Sequence, residues 1–114
     1  MSELDSEVQA ALAAAREHIR AGAQAAVSEC AEAVAEQARA DCPVASGRLR
    51  ESIGVEVCAD GDVIEAQVAA SVPYAAAVEL GSHHSPPRPF LFPALEAQGA
   101  RLREALREAL KTTG

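Results

Sequence analysis

IGVEVCADGDVIEAQVAA, residues 53–70, is the stretch that decides the fold. Apolar side chains alternate with polar or small ones on both sides of Asp60-Gly61, which is the pattern of two half-buried strands joined by a tight turn. One face of the hairpin would carry Ile53, Val55, Val57, Ile64, Ala66, Val68 and Ala70. Because a lone hairpin is not stable in water, helices from the rest of the chain must cover that face.

Upstream of the hairpin, apolar residues recur at helical spacing. The series is Leu4, Val8, Leu12, Ala15, Ile19, Ala23, Ala26, Cys30, Val34 and Ala38. It predicts one amphipathic helix from Leu4 to Ala40, roughly 55 Å long, which Gly22 could bend and which Pro43 ends. A helix of this length exceeds what a small domain needs, so we expect part of it to pack on another chain.

Downstream, Pro73 suits the first position of a short helix through Leu80, and Gly81 suits its left-handed cap. Residues 82–87 predict a loop because they end in two prolines. A last helix is predicted from Pro93, with one side formed by Leu95, Gln98, Leu102, Leu106 and Leu110. The fold class is therefore α+β: a long N-terminal helix, a small antiparallel sheet built on a hairpin, a short helix and a C-terminal helix, with residues 1–114 as one domain.

Composition predicts a thin core. Hydrophobic residues make up 49% of the 114 residues, but much of this is alanine, and aromatic residues are only 3%. Such a core leaves part of the stability to neighbouring subunits. The predicted core joins the stripe of the long helix to four large side chains, Leu49, Tyr74, Phe90 and Leu95.

The charge balance argues against free-standing nucleic-acid binding. The formal net charge is −7, and binding phosphates needs a surplus of Lys and Arg. Basic residues gather after Arg88, so an acidic front and a basic tail could attract each other between subunits or neutralise each other within one chain. The odd number of three cysteines predicts no disulfide framework, and the chain shows neither a signal peptide nor an apolar run of membrane-spanning length. Folding in a reducing cytoplasm is the natural expectation.

Motifs for catalysis and metal binding are not found in the sequence. It contains no glycine-rich phosphate loop and no nucleophile elbow. His83 and His84 are adjacent, and no cysteine lies at ligand spacing from them, so a solvated loop or a subunit contact is favoured over a metal site. Cys30 is expected in the core, while Cys42 and Cys58 are expected to be inert thiols. We therefore predict no metal, no cofactor, no disulfide and no enzymatic reaction.

Glu79 leaves two interpretations open. In the first, it is solvated on an ordinary short helix whose Tyr74 packs inward. In the second, Glu79 is partly buried and pairs with a guanidinium, because an unpaired buried carboxylate is too costly. The candidates for that pair are Arg48, Arg88 and Arg50.

Three short blocks carry a family resemblance. The first contains Pro43, Val44, Gly47, Leu49, Ser52 and Ile53. The second contains Tyr74, Ala75, Val78, Glu79 and Gly81, and the third contains Arg88, Pro89, Phe90, Pro93, Ala94 and Leu95. In this order the blocks resemble the head-tail joining and tail-completion family of long-tailed bacteriophages. Three positions depart from the family pattern. Ala45 stands where the family usually has Asp, and Ser46 and Ser82 stand where it has Thr.

The resemblance implies a structural virion protein of the phage neck, assembled in the host cytoplasm. It implies a ring around the DNA channel, with six copies matching the symmetry of a long tail. Its partners would be itself, neighbouring neck proteins on the portal side, and the tail tube or tail terminator, while DNA passes through without specific binding. No cofactor, reaction or membrane is implied. A small cytoplasmic regulator or toxin-antitoxin partner is the alternative class, and a thiol or metal hydrolase is a third.

Overall fold

The structure, a computed structural model, describes residues 3–43 and 47–112 of the chain. Its elements in chain order are α1 (Glu3–Asp41), α2 (Arg48–Ser52), β1 (Ile53–Asp60), β2 (Val63–Ala70), α3 (Ala75–Leu80) and α4 (Leu91–Thr112). This order confirms the predicted α+β class. The part of the first sequence block formed by Val44, Ala45 and Ser46 lies outside the described residues.

Helix α1 is the longest element of the structure. It runs without a break through Gly22 for 39 residues, which corresponds to about 58 Å. The helix ends at Asp41, and the Cys42 N–H still donates to the Ala38 carbonyl at 2.9 Å just before Pro43. The predicted long helix is therefore confirmed, including its end.

The hairpin is also confirmed, but its two-residue turn lies one position after the predicted Asp60-Gly61. Strands β1 and β2 pair antiparallel from Ile53↔Ala70 to Asp60↔Val63, so the turn residues are Gly61 and Asp62. Gly61 has a φ of 59°, the positive value that the first central position of such a turn requires. The register places Ile53, Val55 and Val57 on the same face as Ile64, Ala66, Val68 and Ala70, as the alternation predicted.

The hairpin lies along α1, with its tip towards the N-terminal end of the helix. At its base, Nη2 of Arg39 donates to the Ile53 carbonyl at 2.8 Å. At its tip, Arg16 forms a salt bridge with Asp62. The hairpin therefore covers α1 between these two arginines and leaves the first turns of the helix beyond its reach.

Helix α4 packs antiparallel against α1, beside the hairpin. The Gln98 side chain donates from Nε2 to Oε1 of Gln37 at 3.0 Å, and the Cys30 thiol donates to the Gln98 carbonyl at 3.6 Å. The helix begins at Leu91 rather than at Pro93. Pro93 fits inside the first turn because the N–H groups of that turn have no partner within the helix.

Helix α2 was not predicted. It contains five residues, too few for a periodic pattern, and it follows Gly47, whose φ of 78° turns the chain. Its role in the fold is to bury Leu49. A single short turn of helix of this kind leaves no signal in the sequence beyond the glycine.

The core lies at the end of the molecule where α1, α2, α3 and the start of α4 meet. Its buried members are Val34, Ala35, Ala38, Cys42, Leu49, Ile53, Ala75, Phe90 and Ala94. Phe90 is 0% exposed and is the largest fully buried side chain among the described residues. Two of the four predicted large core residues, Leu49 and Phe90, are therefore confirmed.

The other two predicted core residues are wrong. Tyr74 is 40% exposed and Leu95 is 55% exposed. Tyr74 stands just before the six-residue helix α3, outside its buried side, where Ala75 takes the core position. Ala94 occupies the place on α4 that faces α1, and the helical rotation of 100° per residue carries Leu95 away from it.

The shape is elongated, with extents of 71 × 22 × 21 Å. The radius of gyration is 19.4 Å, whereas a compact chain of this length is expected near about 13 Å. The excess comes from α1, whose 39 residues extend past the 22 residues of α4 and past the tip of the hairpin.

Candidate assembly surfaces

Glu79 links α3 to the start of α4. Its Oε1 accepts the N–H groups of Phe90 and Leu91, and its Oε2 accepts the N–H of Phe92, each at 2.9 Å. The first N–H groups of a helix have no partner within the helix, and its N-terminus carries partial positive charge. The carboxylate therefore caps α4 from a neighbouring helix.

This arrangement corrects both interpretations of Glu79. The side chain is partly buried, as the second interpretation required, but the partners that the structure gives it are backbone N–H groups instead of an arginine. Arg50 instead donates from Nε to the Arg39 carbonyl at 3.1 Å. The backbone N–H of Arg88 donates to the Val78 carbonyl at 2.8 Å, which ties the chain before α4 to α3 a second time.

The pKa of Glu79 reflects this cap. Burial by itself raises the pKa of the carboxyl, since it disfavours the charged form. The backbone hydrogen bonds from Leu91, Phe90 and Phe92 favour the carboxylate and outweigh burial, so the pKa lies below its ordinary value. The cap is therefore ionised at neutral pH.

Gly81 closes the same corner. Its φ of 83° and ψ of 168° form an extended conformation with positive φ, so the predicted left-handed helical cap is wrong in its ψ angle. The Gly81 N–H still donates to the Ala77 carbonyl at 2.8 Å. A Cβ at this position would lie 2.9 Å from both N and Cδ of Pro87, so a side chain has no room. Glycine at this position therefore allows Pro87, at the end of the loop of residues 82–87, to approach the backbone of residue 81 closely.

The residues of the three sequence blocks meet largely at this corner. Glu79, Gly81 and Arg88 hold the connection between α3 and α4, and Phe90 and Leu49 share the core. Pro43 follows the end of α1 and is half-buried, and Gly47 precedes α2. The exposed members are Tyr74, Arg88, Pro89, Pro93 and Leu95.

An apolar groove opens between β2 and α4, with α1 as its floor. Its volume is about 720 Å³. The floor is formed by Val27, Cys30, Ala31 and Val34, and the two walls contain Ile64, Ala66, Gln67, Val68, Ala69, Glu79, Leu91, Phe92, Leu95 and Leu102. Phe92 is 60% exposed on the α4 wall. Leu95, which is exposed and lies outside the core, therefore lines this groove.

The sequence carries a signal for the groove at the start of α4. Phe90, Leu91 and Phe92 are three consecutive large apolar residues at the start of α4. Consecutive side chains on a helix differ by 100° in direction, so they cannot all enter one core. Phe90 fills the core, and Leu91 and Phe92 line the groove instead.

A second exposed apolar surface lies at the free end of α1. Leu4 is 66% exposed and Leu12 is 65% exposed, and Val8 lies between them on the same side of the helix. The predicted apolar stripe therefore exists along the whole helix, but only its second half is buried within the chain. We call residues 4–12 the α1 arm.

The sheet adds unpaired backbone groups. Within residues 3–43 and 47–112 it has two strands, so β1 and β2 each keep one open edge. The open edge of β2 borders the apolar groove, where five residues of that strand form part of the lining. Open edges of this kind invite pairing with another chain.

Charge is distributed unevenly along the long axis. The first two turns of α1 carry the acidic residues Glu3, Asp5 and Glu7. The second half of α4 carries Arg101, Arg103, Arg107 and Lys111, with Arg107 and Lys111 in exposed contacts to Glu104 and Glu108 at 3.4 Å. The acidic front and the basic tail of the sequence thus correspond to one end of α1 and to α4.

The thiols and histidines form no cluster in the described part of the chain. Cys42 is buried, Cys58 is exposed, and burial raises the pKa of the half-buried Cys30 thiol. His83 and His84 are exposed in the loop before α4. Across residues 3–43 and 47–112 no group of three His, Cys, Asp or Glu side chains is arranged to hold a metal ion. No helix in that same part is long and apolar enough to span a membrane.

The chain was compared with known families, curated proteins and solved structures. The model of the HK97-gp10-like family, described as "Bacteriophage HK97-gp10, putative tail-component", matches residues 4–81. This range is about two thirds of the chain and contains α1, the hairpin, α3 and the first two sequence blocks. The third block follows the end of the match. No curated protein and no solved structure matches the chain.

Proposed function

Since the chain belongs to the HK97-gp10-like family of bacteriophage tail components, we propose that it forms a ring that joins head to tail around the DNA channel. The ring is built from copies of this chain, six in number if it follows the symmetry of a long tail. It binds the neck proteins on the portal side and the tail tube or tail terminator on the other. Its work is assembly and binding, without a chemical reaction.

The observation that carries this proposal is the amount of apolar surface that the elongated chain leaves uncovered. The α1 arm and the groove between β2 and α4 both expose large apolar side chains, and they lie at different places on the molecule. Soluble monomers rarely leave apolar patches of this kind exposed, and such patches mark contacts with other proteins. Two different surfaces on one chain suit contacts that repeat from subunit to subunit.

The charge supports a channel rather than a DNA-binding protein. A net charge of −7 gives a ring that repels phosphate overall, so DNA is able to pass without strong binding. The connection between α3 and α4, which Glu79 holds, then serves as the rigid part of each subunit. In this role the residues of the three blocks hold the groove wall of α4 in place.

The proposal is tested by cryo-electron microscopy of the virion that carries this chain. We expect density for several copies in one closed layer at the junction of head and tail. A particle produced without the chain is the control, and it should lack this layer, with filled heads and tails found apart. Absence of the chain from the junction, or its presence there as a single copy, would contradict the proposal. A chain that instead binds one defined cytoplasmic partner would favour the regulator class.

A further inference from the structure

The α1 arm and the apolar groove both expose large apolar side chains, the arm on one side of a helix and the groove in an open cleft. Leu4, Val8 and Leu12 project from one side of α1 at successive turns. The groove is long, open and floored by a helix, with aliphatic and aromatic side chains on both walls. An amphipathic helix that presents residues at i, i+4 and i+8 is a usual occupant of such a groove.

These two surfaces cannot meet within one chain. Val8 in the arm and Cys30 on the groove floor belong to the same unbroken helix α1. They are 22 positions apart, which places them about 33 Å from each other along a rigid rod. The arm of one copy therefore reaches only the groove of another copy.

Charge at the rim favours the same contact, because the Glu79 carboxylate in the groove lining is already bound by three backbone N–H groups. Glu7 lies beside the apolar residues of the arm, within an acidic first segment of α1. On α4, the exposed Arg103 follows Phe92 by about three helical turns, so the two residues lie on the same side of the helix. Opposite charges at the rim steer the two surfaces together and fix their orientation.

We propose that the α1 arm of one copy, residues 4–12, lies in the groove between β2 and α4 of a second copy. This inference rests on the proposed function, because it names the contact between neighbouring subunits of the ring. The two surfaces differ, so the contact is head-to-tail, and its repetition closes a ring when the rotation between copies allows.

A native thiol makes the contact testable. Cys30 lies on the groove floor, Cys42 is buried, and Cys58 is exposed on the hairpin. In a Cys58→Ser background, Val8→Cys places a new thiol on the arm at a position that is exposed within its own chain. Mild oxidation should then join residue 8 of one copy to Cys30 of the next, and peptide mass spectrometry identifies the linked pair.

The matched control is Ala10→Cys in the same background. Ala10 is exposed on α1 but points about 200° away from Val8. We expect the disulfide yield with Cys30 to be at least about tenfold higher for Val8→Cys, because a disulfide requires Cβ atoms about 4 Å apart. The linked products should form a ladder up to the full ring, and Cys30→Ser should abolish it.

The outcomes separate this inference from the proposed function. The cross-linking is done both on the purified chain and on virions carrying the variant. No link to Cys30 in either sample, equal yields from both variants, or a link between two residue-8 thiols would overturn the arm-in-groove contact. A ring seen in virions without the link overturns the contact alone. A ladder from a chain that is absent from the virion supports the contact and overturns the proposed function.

Discussion

The two ends of α1 belong to one helix with one apolar pattern, yet they have opposite environments. Near the C-terminal end, Val34 is 4% exposed and Ala38 is 0% exposed. Near the other end, Leu4 and Leu12 are each about two thirds exposed. Periodicity therefore shows which side of a helix is apolar, but not what covers that side. In this molecule the covered end makes the fold, and the uncovered end is available for assembly.

The difference has a simple cause in the lengths of the elements. Helix α4 has 22 residues against the 39 of α1, and the hairpin tip is anchored at Arg16, with an open cleft between it and Leu12. Neither element is able to cover the first turns of α1. Apolar surface left in water forgoes roughly 25 cal/mol for each Å², so a contact that covers the arm is favourable.

The largest expected effect lies at the covered end. Phe90→Ala should lower the free energy of unfolding by about 3 to 5 kcal/mol, because it removes a fully buried ring and leaves a cavity. Urea denaturation gives the value. Phe92→Ala is the control two residues away, and it should change the value by less than about 1 kcal/mol because its ring lies in the open groove. Similar losses for both variants would mean that the core and the groove are not distinct.

Gly81→Ala comes next. We expect a loss of about 2 to 3 kcal/mol, because only glycine readily adopts this backbone conformation and the added Cβ would overlap the Pro87 backbone. Gly54→Ala on β1 is the control, since a Cβ there has no neighbour within 4 Å. The melting temperatures of the two variants are compared with that of the wild type. An unchanged Gly81→Ala protein would show that the loop is free to move away from α3.

The comparison between the two ends of α1 is tested by a valine-to-alanine substitution at one position near each end. Val34→Ala should cost about 2 kcal/mol, since it deletes two buried methyl groups, whereas Val8→Ala should stay within about 0.5 kcal/mol. Both are measured on the monomeric chain by chemical denaturation. A cost at Val8 equal to that at Val34 would mean that the arm is already covered in the isolated chain.

Glu79→Gln should have the smallest effect of this series, a loss of about 1 kcal/mol at pH 7, because it weakens three charge-assisted hydrogen bonds. The folded pKa of Glu79 is depressed, so its contribution is present above the ordinary glutamate value of about 4.3 and is lost as pH falls through the lower folded value. The difference between wild type and variant should therefore shrink in acid.

The exposed Glu96 on α4 supplies the control for this titration. Glu96→Gln should leave stability unchanged within about 0.5 kcal/mol at pH 7. Denaturation curves for both variants at several pH values between neutral and acid make the comparison. A Glu79→Gln deficit that stays constant down to acid pH would show that the carboxylate charge is not what caps α4.

Much of the fold could be predicted from local patterns. The long helix, the alternating faces of the two strands and the C-terminal helix follow from periodicities of 3.6 and 2, and the helix end follows from Pro43. Helix α2 could not be predicted because five residues carry no period. The outward positions of Tyr74 and Leu95 also escaped prediction, since large apolar side chains indicate burial without indicating whether a core or a second chain provides it.

The candidate site was less predictable than the fold. The sequence drew attention to Glu79, but the partners in the structure are backbone N–H groups, which the sequence does not distinguish from one another. The groove depends on the distance between β2 and α4, a tertiary quantity that no local pattern contains. The arm was predicted as an excess of helix length, and only the structure shows which residues are left uncovered.

Amide hydrogen exchange along α1 tests the central claim most directly, because it measures each end of the helix in the isolated chain and in the assembled particle. We predict that residues 31–41 are strongly protected in both states, and that residues 4–12 exchange rapidly in the isolated chain and become protected on assembly. Equal protection of residues 4–12 in both states would contradict the claim that this end of α1 is an assembly surface.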